Sequence, residues 1–282
     1  MSTPCYTVYF VSDSTGITAE ALGRSLLSQF PDAQFQCHHI PFINTIDKAQ
    51  VFINRIKHEH TETDALPIVF ATMPNLEIDL LLKQAPCHYY EVFNSFVNQL
   101  SADTKLSPVN KPGLRHALLN QKNYDLRIDI VDYALVHDDA LSLQNLALAD
   151  VILLGVSRSG KTPTCLYLAM HFGLRAANYP LTEDDFRRQD LPQAIKNNID
   201  KVLALTIMPN RLSQIRQKRS PGSRYATLSE CQSELRQAQK IFNRYKLEVL
   251  DTTSSSIEEL ATKIISFLST KTTQHFTMRD EP

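Results

Sequence analysis

Short apolar runs alternate with longer amphipathic stretches along most of this chain. Thr7-Val8-Tyr9-Phe10-Val11 predicts a strand, Ile17 to Gln29 a helix, Gln34 to Ile40 a strand, Ile46 to His60 a helix, and Pro67-Ile68-Val69-Phe70-Ala71 a buried strand. Leu76 to Gln84 and Tyr89 to Leu100 read as helices. The breaker cluster Ser107-Pro108-Val109-Asn110-Lys111-Pro112-Gly113 predicts a surface connection. Beyond it, Tyr124 to His137 spaces Leu126, Ile130, Ala134 and Val136 as a helix would.

The second half repeats the alternation. Val151-Ile152-Leu153-Leu154 has no polar break, as expected of a strand buried on both faces. Thr164 to Phe172 predicts a helix closed by Gly173, and Pro163 is tolerated in its first turn, where an N–H has no partner to lose. Leu174 to Tyr179 predicts a strand, Glu183 to Arg188 a charged helix or lid, and Val202 to Ile207 a buried strand. A basic helix with Arg216, Lys218 and Arg219 follows, then a short strand Glu248-Val249-Leu250. Ser256-Ile257-Glu258-Glu259 is a capping box opening a helix to about Leu268, with the polar tail Lys271 to Pro282 expected to fray.

Strands alternating with helices imply parallel sheets covered by helices on their faces. The expected class is therefore α/β: a parallel-sheet N-terminal unit over residues 1–120, then a P-loop nucleotide-binding α/β domain over residues 121–282. The halves echo one another. Val11-Ser12-Asp13-Ser14 matches Val156-Ser157-Arg158-Ser159, each before a glycine and a helix, and Thr72-Met73-Pro74-Asn75 matches Ile207-Met208-Pro209-Asn210.

Composition narrows the partners. With 29 basic and 30 acidic residues in 282, net charge points to neither nucleic acid nor a membrane surface. No apolar run approaches the roughly 20 residues that span a bilayer, and Met1 to Phe10 lacks the basic flank and apolar core of a secretory signal. Cys5, Cys37, Cys87, Cys165 and Cys231 are odd in number and scattered, which suits a reducing cytoplasm. His38-His39 and the pair His58 and His60 have no further ligands at metal spacing and read as ordinary strand and helix residues.

The chemistry gathers at Gly155-Val156-Ser157-Arg158-Ser159-Gly160-Lys161-Thr162, a G-x-x-x-x-G-K-T phosphate-binding loop between a predicted strand and helix. Only 7 glycines occur in the chain and two stand here, so a chance match is roughly one in a thousand. In such a loop the backbone N–H groups and the helix N-terminus meet phosphate oxygens, Lys161 reaches the terminal phosphates, and the Thr162 hydroxyl ligates Mg2+. No acid stands at the end of an apolar strand after the loop, leaving Asp132, Asp138, Asp139 and Asp251 as candidates for a further metal ligand. Ser12 to Gly16 forms a second strand–loop–helix turn. Asp13 within it is expected to be catalytic, with an ordinary helix cap as the competing explanation. Basic residues from Arg211 to Arg224 form either a solvated face or a lid contacting phosphate or base. No G-x-G-x-x-G followed by H-R-D and D-F-G is present, so the ordinary protein-kinase fold is excluded, and no N-K-x-D reads guanine.

Four segments together resemble the regulatory proteins of phosphoenolpyruvate synthase and pyruvate phosphate dikinase: Ser12 to Glu20, Tyr133 to Asp139, Gly155 to Thr164 and Ala176 to Pro180. The resemblance extends over about Thr7 to Leu268 and is nearer to the synthase branch. It implies an ADP-dependent kinase that inactivates its target by phosphorylating a threonine. It also implies a phosphorylase that uses inorganic phosphate to remove that group as pyrophosphate. Gly155 to Thr162 would then bind ADP, Lys161 would be catalytic, and Thr162 would hold Mg2+. Phosphoenolpyruvate synthase is the expected protein partner, with the dikinase as the alternative target. A P-loop kinase of small metabolites and a non-enzymatic nucleotide sensor are the rival readings. The oligomeric state is left open, a homo-oligomer included.

Overall fold

A computed structural model describes residues 4–63, 66–109, 121–139 and 143–277. The chain separates into two compact units, Met1–Leu119 and Asn120–Pro282. Each is a mixed α/β unit with one four-stranded sheet, and every strand pairing is parallel.

In the N-terminal unit the strands are β1 (Cys5–Ser12), β2 (Gln34–Ile40), β3 (Ile68–Thr72) and β4 (His88–Glu91), in sheet order β2-β1-β3-β4. Period-two alternation sends Tyr9 and Val11 to one face, against Phe52, Ile53 and Ile56 of α2 (Ile46–Thr63) and Ile78 and Leu82 of α3 (Leu76–Leu82). Val8 and Phe10 go to the other face, against Ala19 and Leu27 of α1 (Ile17–Leu27).

The helix expected over Tyr89 to Leu100 is corrected. Its first residues belong to β4, and α4 spans Asn94–Thr104. His-Tyr-Tyr-Glu has the aromatic content of a strand, Tyr90 stacks on Phe70 of β3 with centroids 5.4 Å apart, and the Tyr89 hydroxyl donates to Asp79. Asn94 then anchors α4 by donating to the Met73 carbonyl at 2.7 Å. Of the breaker cluster, residues 110–113 lie outside the described residues.

The C-terminal unit begins with α5 (Gln121–Val136). It has strands β5 (Val151–Gly155), β6 (Ala176–Pro180), β7 (Val202–Thr206) and β8 (Val249–Asp251), in order β6-β5-β7-β8. This is the arrangement of the first sheet with each strand replaced by its counterpart. Ile152 and Leu154 face Leu212 of α9 (Pro209–Arg219) and Ala238, Ile241 and Phe242 of α10 (Leu228–Arg244). Val151 and Leu153 face Cys165 and Leu168 of α6 (Lys161–Phe172) and Ala261, Ile264 and Phe267 of α11 (Ile257–Thr277).

Glu183 to Arg188 is helix α7, not a lid. Phe186 enters the core, and a Thr182–Asp185 capping box fixes its start. A short helix α8 (Gln193–Lys196) follows. The Ser256–Glu259 capping box is present, but α11 runs past Leu268 to Thr277, since no glycine or proline interrupts it. Residues 278–282 lie outside the described ones. Among the described residues, no helix is long and apolar enough to cross a membrane.

Candidate functional site

β5 ends in Gly155 because nothing larger fits. A Cβ there would lie 2.6 Å from the Leu205 carbonyl oxygen of β7 and 2.9 Å from Ser159 Oγ. The chain then turns through Arg158 at φ 72° and Gly160 at φ 90°, and Gly160 is the N-cap of α6 with no side chain capping it. Left-handed residues in such a turn aim successive amides into a concavity suited to an anion. The N–H groups of Ser157, Arg158 and Gly160 donate to no described residue.

Lys161 opens α6 with its side chain only 3% exposed, and its Nζ donates to the Val156 carbonyl at 2.8 Å. Burial pulls its pKa down to about 8, while the carboxylates of Asp139 and Asp138 favour the charged form. At neutral pH the ammonium therefore stays charged inside the loop. Ser159 is fully buried and its Oγ has no partner among the described residues.

Beside Lys161, three side chains converge. Thr162 Oγ1 donates to Asp138 Oδ1 at 2.8 Å, and Asn178 Nδ2 donates to Asp138 Oδ1 at 2.5 Å and to Thr162 Oγ1 at 3.0 Å. Asp139 Oδ1 lies 3.3 Å from the same amide nitrogen. The turn carrying both aspartates is pinned to β6, because Asn178 N donates to the His137 carbonyl at 2.9 Å. The His137 ring is wedged between the carbonyls of Tyr133 and Gln144 at 2.8 and 2.7 Å.

Among the four candidate carboxylates, the geometry favours Asp138 as the oxygen beside Thr162. Asp132 is exposed on α5, and exposed Asp251 accepts from the Thr253 N–H and hydroxyl. Asn178 does not stand out in the sequence because a buried asparagine on a strand carries no motif; it is the amide nitrogen that faces Asp138 and Thr162.

The basic helix presents a solvated face with one exception. Arg211, Lys218, Arg219 and Arg224 are exposed, but Arg216 is 0% exposed. Its Nη1 and Nη2 donate to Glu234 at 3.0 and 2.7 Å, and Nη2 also donates to the Ser157 carbonyl at 3.0 Å. The lone inward arginine was invisible in a run of exposed ones.

Asp13 lies in the β1–α1 loop of the N-terminal unit. It does not cap α1, whose N-cap is Gly16 at φ 77° with no side-chain bond. Its carboxylate is 8% exposed, Oδ1 accepts a long 3.4 Å bond from Ser12 Oγ, and Oδ2 has no partner among the described residues. Burial raises its pKa from the ordinary aspartate value. Ser12 Oγ meanwhile accepts from Ser14 N at 3.2 Å and from Thr72 Oγ1 at 3.0 Å, tying the loop to β3.

Comparison with known proteins places this geometry in context. The profile of the kinase/pyrophosphorylase family matches residues 8–265. A Thiocapsa roseopersicina protein is 49% identical over 262 residues, which is 93% of this chain and 97% of that protein. An Aromatoleum aromaticum protein is 45% identical over 264 residues, covering 93% of this chain and 95% of its own length. One from Azoarcus sp. is 46% identical over 267 residues, covering 94% and 96%. Each of the three carries a name assigning it to regulation of phosphoenolpyruvate synthase.

Proposed function

We propose, from the premise that this chain belongs to the kinase/pyrophosphorylase family, that it switches phosphoenolpyruvate synthase off and on by adding and removing a phosphoryl group on a threonine. One observation carries the reading. Lys161, Thr162 and Asp138 converge at the N-terminus of α6, beside a loop whose Ser157, Arg158 and Gly160 amides donate to no described residue and suit phosphate oxygens.

In the forward direction the donor is assigned as ADP. The threonine oxygen bonds to the β-phosphorus, the bond from that phosphorus to the bridging oxygen breaks, and AMP leaves with the bridging oxygen. The hydroxyl proton passes to a base. In the reverse task, an oxygen of inorganic phosphate attacks the phosphorus of phosphothreonine, pyrophosphate departs, and the threonine oxygen regains a proton. Such transfer needs positioning and charge neutralisation more than covalent chemistry. The Gly155 to Gly160 backbone positions the phosphates, and the Lys161 ammonium neutralises them from a site where water screens little. Thr162 Oγ1 and Asp138 Oδ1 form an oxygen pair of the kind that suits Mg2+. Thr162 would hold the ion, which when bound supplies further neutralisation of phosphate charge.

Asp13 is assigned as a catalytic carboxylate of the N-terminal unit. Its carboxylate is buried, burial raises its pKa, and its Oδ2 has no partner among the described residues, which is the chemistry of a proton acceptor.

The test is incubation of the purified chain with phosphoenolpyruvate synthase, Mg2+ and ADP, ATP or GTP, followed by synthase assay and peptide mass mapping. Synthase inactivation with a phosphothreonine formed from ADP is the expected result. Modification by ATP and not ADP would overturn the donor, and no modification by any nucleotide would overturn the kinase reading.

A further inference from the structure

Ser157 is gripped from outside its loop on both its carbonyl and its side chain. Arg216 Nη2 donates to the carbonyl at 3.0 Å, and the Tyr225 hydroxyl donates to Ser157 Oγ at 2.8 Å. The two gripping residues hold each other. Arg216 Nη1 donates to the Tyr225 carbonyl at 3.1 Å, and its guanidinium stacks 3.9 Å from the centre of the Tyr225 ring. Glu234 then fixes the plane of the guanidinium by taking both terminal nitrogens.

Stability is a weak reason for this arrangement. A buried ion pair contributes little compared with apolar residues of the same volume, because desolvation offsets the attraction. This one also leaves Arg216 Nε buried without a partner among the described residues. Geometry is a better reason. In a trans peptide, C=O and N–H point in opposite directions. Fixing the Ser157 carbonyl on Arg216 therefore turns the Arg158 N–H the other way, away from α9. That N–H donates to no described residue, and Arg158 itself sits at φ 72°, a conformation that a non-glycine residue holds only when its surroundings impose it.

We infer that Arg216 and Tyr225 are positioning residues that hold the Ser157–Arg158 peptide so that its N–H serves the diphosphate of a nucleoside diphosphate. The inference rests on the proposed nucleotide reading of the loop. Neither residue touches the phosphates; both act through Ser157. The exposed arginines and lysine of α9 have no part in it.

The test is calorimetric titration of the full chain with ADP and Mg2+, using wild type, Tyr225→Phe, Ser157→Ala, the double variant and Ser157→Thr. Tyr225→Phe removes one hydroxyl and leaves the ring stacked on Arg216, so folding is preserved where an Arg216 variant could fail. Each single loss of the hydrogen bond is expected to weaken ADP by about five- to tenfold. The double variant should be no weaker than either single, and Ser157→Thr should retain wild-type affinity. A merely stabilising pair would lower the melting temperature and leave the affinity of the folded protein unchanged. Wild-type affinity in Tyr225→Phe, or losses that multiply in the double variant, would overturn the inference while the nucleotide reading stands. A wild-type chain that takes up no ADP would overturn both.

Discussion

Replacing Lys161 with methionine should make the protein more stable and inactive at once. The ammonium is 3% exposed, and its only hydrogen bond among the described residues goes to the Val156 carbonyl. Burial pulls the pKa from 10.5 to about 8, a displacement worth about 3 kcal/mol against the charged form. Methionine keeps most of the buried stem and removes the charge. Losing the hydrogen bond returns about 1 kcal/mol. The Val156 carbonyl is not orphaned, because Ser159 N still donates to it at 3.3 Å. The net expectation is a gain of about 2 kcal/mol near pH 7, or a rise in Tm of about 4–8 °C for a unit of this size.

The pH dependence of that gain is a sharper check. Below about pH 8 the lysine is charged in the folded and unfolded chain alike, and the methionine variant keeps its full advantage. As pH rises through 8 towards 10.5, the unfolded chain holds the proton more tightly than the folded one, so wild type gains stability and the gap closes. Thermal melts of both proteins across this range, with and without ADP and Mg2+, measure it. ADP should raise Tm in wild type only. A methionine variant less stable than wild type at pH 7, or a gap that does not change with pH, would refute the reasoning.

Three further outcomes are expected. Gly155→Ala forces a Cβ to within 2.6 Å of a β7 carbonyl, so it should cost about 2–3 kcal/mol in denaturant melts and weaken ADP binding as the loop shifts. Asp138→Asn should leave the fold intact but lower phosphoryl transfer by about 10–100-fold and raise the Mg2+ concentration for half-activity, because the Thr162 hydroxyl loses its anionic partner. Asp13→Asn should lower activity without lowering Tm at neutral pH. The folded pKa of this carboxyl is raised, so its ionised form loses stability as pH climbs through the carboxylate range, and the amide escapes that loss. A Tm drop with retained activity would return Asp13 to a structural role.

How much was legible in the sequence depended on whether a residue acts locally. Val151 to Phe172 was readable throughout, because an unbroken apolar run, paired glycines and a helix-forming stretch each dictate local conformation. The internal echo was visible only as two short matches. In the fold, Thr72-Met73-Pro74-Asn75 and Ile207-Met208-Pro209-Asn210 leave the same third strand of two identically ordered sheets. They enter their helices differently, with Asn75 as one N-cap and Met208 as the other.

Tyr89 to Glu91 reads as helix in the sequence because so few residues beside a real helix offer too short a window for periodicity, and pairing with β3 decides their state. Asp138 was one of four equal candidates since nothing in the spacing says that a turn 24 residues before Thr162 returns to it. Arg216 differs from Lys218 and Arg219 only in the direction it points, and helical phase relative to a core is a tertiary property.

The most direct test of the account uses ADP labelled in its β-phosphate, incubated with Mg2+, phosphoenolpyruvate synthase and either wild type or a folded Lys161→Met variant. Label should pass to a synthase threonine with wild type, leaving unlabelled AMP, and should stay in ADP with the variant. Label transfer by Lys161→Met at the wild-type rate, or synthase inactivation by wild type with the label still in the nucleotide, would contradict the claim that this loop delivers the phosphoryl group.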